Sequence, residues 1–150
     1  MDRILADIEK SFGGLHAYPP LSLRGGNALD DHERAPAFDP VIDKTTPEYF
    51  EENFWGIAHL DSESWRFYLP YFLKYALLNI SDPSSNALDA FLFSLRPPDR
   101  DPPRFGCLST AQEQAVVAVL DKLAFSEESE WQDPAMIALE EYWAPGATYR

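Results

Sequence analysis

The chain has one cysteine, two methionines and only twelve lysines and arginines among its 150 residues. A lone thiol, Cys107, forms no intramolecular disulfide and suits a reducing compartment. Against 25 Asp and Glu the few bases leave a net charge of -13. Affinity for polyphosphates comes from Lys and Arg, so nucleic acid is not an expected partner. An anionic membrane surface would repel such a chain. Long apolar runs are missing as well. The most apolar stretch, residues 67–80, is broken by Lys74 and flanked by Arg66 and Asp82, whereas a spanning helix needs about 20 nearly charge-free residues. The first ten residues are charged every few positions and lack the basic-then-apolar order of a secretory signal. The expectation is a cytoplasmic protein that binds neither membrane nor nucleic acid.

What remains is rich in aromatics: 10 Phe, 7 Tyr and 4 Trp. That composition folds, and the length fits one domain spanning residues 1–150 that needs neither disulfide nor metal to hold it. Ile4, Leu5, Ile8 and Phe12 form a helical stripe over residues 2–12, with Gly13-Gly14 as its end. Residues 15–44 carry many breakers (Pro19-Pro20, Gly25-Gly26, Pro36, Pro40) and read as a long irregular region, with short strands possible near Ala37-Phe38 and Val41-Ile42. Thr46 before Pro47 starts a helix with Phe50, Phe54 and Trp55 inward and Gly56 at its end. Asp61 caps the next helix, apolar nearly all round and therefore central, with a kink or break expected at Pro70. Asn86 is read as the cap of a short helix through Leu95, and the prolines of residues 96–104 as a surface loop. Ser109 with Gln112 makes a capping box, residues 126–132 an acidic loop, and Asp133-Pro134 the start of a last helix closed by Pro145-Gly146. The fold class is mainly α, a single helical domain of about six helices.

Three segments carry a resemblance when taken together. They are Trp65-Arg66-Phe67-Tyr68-Leu69-Pro70, Phe93-Ser94-Leu95-Arg96-Pro97-Pro98, and Arg104-Phe105 leading into Ser109–Gln112 and a helix. With Ala138-Leu139 and Tyr142-Trp143 near the end, the set resembles a family of small bacterial proteins known only as a domain of unknown function. The likeness covers residues 47–143. It implies a helical fold and a bacterial origin, and transfers no catalytic residue. The divergent residues 15–45 are then the place to seek individual specificity.

No catalytic residue, metal ligand or cofactor motif emerges from the spacing. His16, His32 and His59 share no ligand spacing, and residues 30–33 (Asp-Asp-His-Glu) lack the alternating oxygens and central glycine of a calcium loop. Cys107 sits before a helix start, where a dipole lowers a thiol pKa, but no histidine partner is identifiable. Arg66 on a mostly apolar helix is expected to pair with an internal carboxylate or stack on Trp65 or Tyr68, with ligand binding as the alternative.

The acidity is not uniform. Residues 30–63 hold ten acids against two bases, net -8, and residues 113–141 hold eight against one, net -7, on either side of a near-neutral aromatic stretch. Two solvated faces would account for this. A contact surface for a basic partner is the sharper reading. Candidate contact residues are Asp30, Asp31, Glu33, Asp39, Asp43, Glu48, Tyr49, Glu51 and Glu52 in the first block, and Glu127, Glu128, Glu130 and Trp131 in the second, with Tyr18, Tyr49 and Trp131 as aromatic anchors. The expected function is an immunity protein that neutralises a cognate toxin by covering its basic active site. A regulatory or oligomeric interaction module is the alternative. An unrecognised enzyme is third and requires a pocket where Arg66, a tyrosine and a carboxylate converge.

Overall fold

Side-chain caps set most helix starts. Thr46, Asp61, Ser85 and Ser109 each accept a hydrogen bond from the backbone N–H three residues on, replacing an intrahelical acceptor that the first turn lacks. Gln112 completes the capping box by accepting from the Ser109 N–H at 3.0 Å. The computed structural model describes residues 2–14 and 17–150; Met1, Leu15 and His16 lie outside the described residues. Among the described residues there are seven α-helices and no strand: α1 (Asp2–Phe12), α2 (Leu23–Asp30), α3 (Pro47–Asn53), α4 (Ser62–Leu78), α5 (Asn86–Ser94), α6 (Thr110–Phe125) and α7 (Gln132–Ala138). A 3₁₀ helix, Phe54–His59, follows α3, and a π-helical turn, Leu139–Trp143, follows α7.

The central helix is α4, which packs against α1, α5 and α6 and buries residues on most of its circumference, Tyr68, Leu69, Phe72 and Leu73 among them. It runs through Pro70 without interruption. Burial on both sides of the proline offsets the hydrogen bond it cannot make. Stacked rings bind α3, α4 and α5 together: Phe50 lies on Phe72 at 4.6 Å between centroids, and Phe72 on Phe91 at 5.0 Å.

Several expectations change. The short helix α5 is capped by Ser85, whose Oγ accepts from Leu88 N–H, and Asn86 is its first residue. The last helix begins at Gln132, one residue before the Asp133-Pro134 start expected. Residues 15–44 hold a helix, α2, where strands were considered. Gly25 and Gly26 lie inside it, and Gly56 lies inside the 3₁₀ helix, ending nothing. These glycines let two backbones touch. A β-carbon on Gly26 would come within 2.9 Å of the Gly56 Cα, and one on Gly56 would collide with the Leu23 carbonyl. The same 3₁₀ turn leaves Trp55, expected inward, 60% exposed.

The first two amides of α2 are met from elsewhere in the chain and the third by its own cap. Leu23 N–H donates to Tyr68 Oη at 3.0 Å, Arg24 N–H to Tyr49 Oη at 3.0 Å, and Gly25 N–H to Ser22 Oγ at 2.7 Å. Just before them, Leu21 N–H donates to Ser64 Oγ at 2.9 Å.

At the N-terminal end of α4 the segments that carried the resemblance meet. Trp65 lies against Phe105, Phe105 against Tyr142 and Trp143, and the Trp143 indole donates to the Leu95 carbonyl at 2.8 Å. Arg104 is buried beside them. Its guanidinium donates to the carbonyls of Ile57 and Leu60 and lies 5.9 Å from the Trp65 ring. Burial, with Arg100 nearby, lowers that guanidinium to about 10. Asp99 fixes the proline loop by accepting the N–H groups of Arg100, Arg104, Phe105 and Gly106.

Candidate partner-binding surface

Alternation on α3 decides which of its residues face the core. Tyr49, Phe50 and Asn53 follow one another at helical spacing and are buried; Glu48 and Glu52, four apart, are exposed. Tyr49 and Glu51, on different sides of the helix, then tie α3 to two neighbouring turns.

On the first side stands Asp43, 2% exposed. Its carboxylate accepts Arg24 Nε at 2.9 Å and Nη2 at 3.1 Å, Tyr49 Oη at 2.8 Å and Asp39 N–H at 2.8 Å. Burial alone would raise its pKa, but these four donors outweigh it and hold the carboxyl below its usual range. Arg24 is raised in turn, chiefly by its hydrogen bond to Asp43. Burial also raises the phenols: Tyr49 well above its ordinary value and Tyr68 to about 12.

On the second side Glu51 accepts Tyr75 Oη at 2.6 Å, Ser85 Oγ at 2.5 Å and the Ala87 N–H at 3.1 Å. Burial and this carboxylate push the Tyr75 phenol up to about 12. Glu51 thereby grips the turn of residues 79–85. The acidic loop of the second block grips the same turn. Glu130 N–H donates to the Ile80 carbonyl at 2.8 Å, Ser81 Oγ to the Glu128 carbonyl at 3.0 Å, and the Trp131 indole to the Asp82 carbonyl at 3.0 Å. One turn therefore anchors segments from both acidic blocks.

Four candidate contact residues must be reassigned. Asp43, Tyr49 and Trp131 are buried and Glu51 is half-buried, and each uses its polar atoms on internal partners. They hold the surface up and do not form it. Asp39 is half-buried and closes a turn. Asp30, exposed, meets His59 Nε2 at 3.0 Å. Asp31, Glu33, Glu48, Glu52, Glu127, Glu128 and Glu130 are exposed, with Glu128 4.0 Å from the Lys122 ammonium. Tyr18 is exposed and stacks on Phe38. Large apolar side chains that the sequence reading missed are also in solvent: Val41, Ile42, Leu78 and Phe125. Leu78 ends α4 and Phe125 ends α6, directly before the two segments that the Ile80–Glu130 hydrogen bond joins.

The remaining candidates for chemistry are modest. Arg66 is half-buried, and among the described residues it makes no ion pair, hydrogen bond or aromatic stack; Arg104 takes the place on Trp65 expected of it. Arg66, Tyr18 and Glu63 do line one cavity, but it holds only about 140 Å³, below the ~300 Å³ at which small-molecule sites begin. An open groove of about 750 Å³ runs between α6 and the chain end, where Arg150 pairs with Glu113. Cys107 is half-buried, its thiol donating to the Arg104 carbonyl at 2.9 Å, and burial raises its pKa. A raised thiol is a poor nucleophile. Among the described residues no three His, Cys, Asp or Glu side chains gather as a metal site, and no helix is long and apolar enough to cross a membrane.

Asp43 supplies a pH signature. Its folded pKa is depressed, so its contribution to stability is complete above the ordinary value of about 3.9 and disappears as pH falls through the folded value. Asp43→Asn is expected to cost about 2 kcal/mol at pH 7. Urea midpoints of wild type and variant should converge below about pH 4. A gap that stays constant down to pH 2.5 would contradict this assignment.

Against known proteins, the chain matches over residues 1–147 a family described as "Family of unknown function (DUF6714)". No curated protein and no solved structure matches it.

Proposed function

We propose that this chain, which belongs to the family DUF6714, is an acidic binding protein that covers the basic active site of a partner, acting as an immunity protein toward a toxin. The observation that carries the reading is the pinning of both acidic segments to the turn of residues 79–85, by Glu51 from one side and residues 128–131 from the other. Exposed Glu48 and Glu52 on α3 and Glu127, Glu128 and Glu130 on the loop belong to the segments so pinned, and exposed Leu78 and Phe125 end the helices that lead into that turn and that loop. An apolar centre with a charged rim is the composition of an interface whose acids steer a basic partner. A toxin that grips phosphate groups presents such Lys and Arg.

The test is co-expression with the toxin encoded by a neighbouring gene. Wild type protects the cells. The quadruple variant Glu48→Gln, Glu52→Gln, Glu127→Gln, Glu128→Gln should fold, yet associate on the order of 10- to 100-fold more slowly at low salt. Protection as good as wild type from this variant, or none from wild type, would sink the reading. A second reading, an oligomeric interaction module, draws on the exposure of Leu78, Phe93 and Phe125. Sedimentation equilibrium separates the two, since the inhibitor is expected to be monomeric without its partner.

A further inference from the structure

Residues 39–43 form a turn whose ends are tied to each other twice. Asp43 N–H donates to the Asp39 carbonyl at 2.7 Å, and Asp39 N–H to Asp43 Oδ2 at 2.8 Å. Within the turn, Asp39 Oδ1 accepts the N–H groups of Val41 at 2.8 Å and Ile42 at 3.2 Å. Pro40 restricts the remaining backbone freedom. Asp43 is itself held by Arg24 and Tyr49. Every polar group named here is satisfied within the fold, and two adjacent apolar side chains project from the tip. Val41 is 82% exposed and Ile42 57%.

Two β-branched side chains on a braced tip are poorly explained by solubility or by the core. They are suited to insertion. Their χ1 angles are already stiff, so little rotamer freedom is lost on burial, and the backbone beneath them needs no ordering. The surroundings select the partner by sign. Among residues 30–63 seven exposed carboxylates outnumber the exposed bases Arg34 and Lys44, the latter next to the turn, and exposed Glu48 stands on the helix whose Tyr49 braces the same turn. A second copy of the chain would bring like charge against like. We infer that Val41 and Ile42 are an anchor that enters an apolar pocket rimmed by Lys and Arg on a basic partner protein. The inference rests on the acidic-inhibitor reading and supplies its hot spot.

The experiment uses a phage library displaying fragments of the source genome, selected on the immobilised full chain. Enriched fragments are then measured on wild type, Val41→Ser/Ile42→Ser, Glu48→Gln/Glu52→Gln and Phe93→Ser. All substituted side chains are exposed, and unchanged thermal unfolding verifies the folds. The expected result is a fragment of net positive charge whose retention falls on the order of 30-fold on Val41→Ser/Ile42→Ser. Its retention should also fall on Glu48→Gln/Glu52→Gln and be unchanged on Phe93→Ser. Retention lost only on Glu48→Gln/Glu52→Gln overturns the anchor and leaves the acidic reading standing. Retention lost only on Val41→Ser/Ile42→Ser overturns the basic rim and, with it, that reading. An equal loss on Phe93→Ser, or no enriched fragment at all, overturns both.

Discussion

Replacing Gly56 with alanine is expected to destabilise the fold by about 3 kcal/mol, lowering the melting temperature by roughly 10 °C. The added methyl group would meet backbone on every side. It collides with the Leu23 carbonyl, comes within 2.8 Å of the Asn27 nitrogen and lies 3.2 Å from the Gly26 carbonyl carbon. Side chains rotate away from a clash, but the backbone of a helix does not, so α2 must lift from the 3₁₀ helix. Lifting it would also strain the bonds from Leu23 and Arg24 to Tyr68 and Tyr49. Gly14→Ala is the control, since a β-carbon there meets nothing within 4 Å, and its effect should stay within about 0.5 kcal/mol. Equal denaturant midpoints for the two variants would refute the close crossing.

Arg104→Ala is expected to cost about 3–4 kcal/mol. The buried guanidinium is the donor to two carbonyls, those of Ile57 and Leu60, at the end of the 3₁₀ helix. Without it the Leu60 carbonyl is stranded near Trp65, and the Ile57 carbonyl keeps only the long bond from Leu60 N–H at 3.4 Å, with a cavity where the side chain was. Arg104→Lys separates charge from shape. An ammonium keeps the charge but cannot serve both carbonyls as a planar fork while lying on an indole, so about half of the loss should remain. Chemical denaturation with Trp fluorescence reads both variants, because Trp65 and Trp143 lie in the affected cluster. Full stability in Arg104→Lys would mean that charge alone matters there.

Most of the architecture was written in local signals. Thr46, Asp61 and Ser109 mark helix starts because capping is settled within four residues, and the apolar girth of residues 62–78 marks a central helix. Helix α2 was not legible. Gly25-Gly26 is a breaker by propensity, and what favours a helix there is the touching backbone of Gly56 together with hydroxyls of α3 and α4. Tertiary contacts of that range leave no periodic trace. The acidic surface was legible as composition and misread in detail. A carboxylate bound by Arg24 and Tyr49 looks, in sequence, like one in water; nothing near Asp43 distinguishes it from Asp39. For Tyr49 a signal was present. Positions 49, 50 and 53 share the inward side of α3, whereas aromatic character alone points to Phe50, Phe54 and Trp55. Arg104 was missed because a charged residue in a proline-rich loop reads as surface, and only the carbonyls it serves, more than 40 positions earlier, give it a reason to be buried.

The hydrogen bonds that seat the start of α2 have a consequence in time. Leu21, Leu23 and Arg24 donate to hydroxyls that lie 43, 45 and 25 residues further along the chain. A ribosome adds roughly 5–20 residues each second, so for several seconds those amides have emerged while their acceptors do not yet exist. Residues 21–24 are therefore synthesised well before the groups that seat them. They close over helices made after them, as a strap is fastened once the load is in place. A nascent chain stalled before Tyr68 would hold this strap open, offering unfinished backbone to chaperones and proteases.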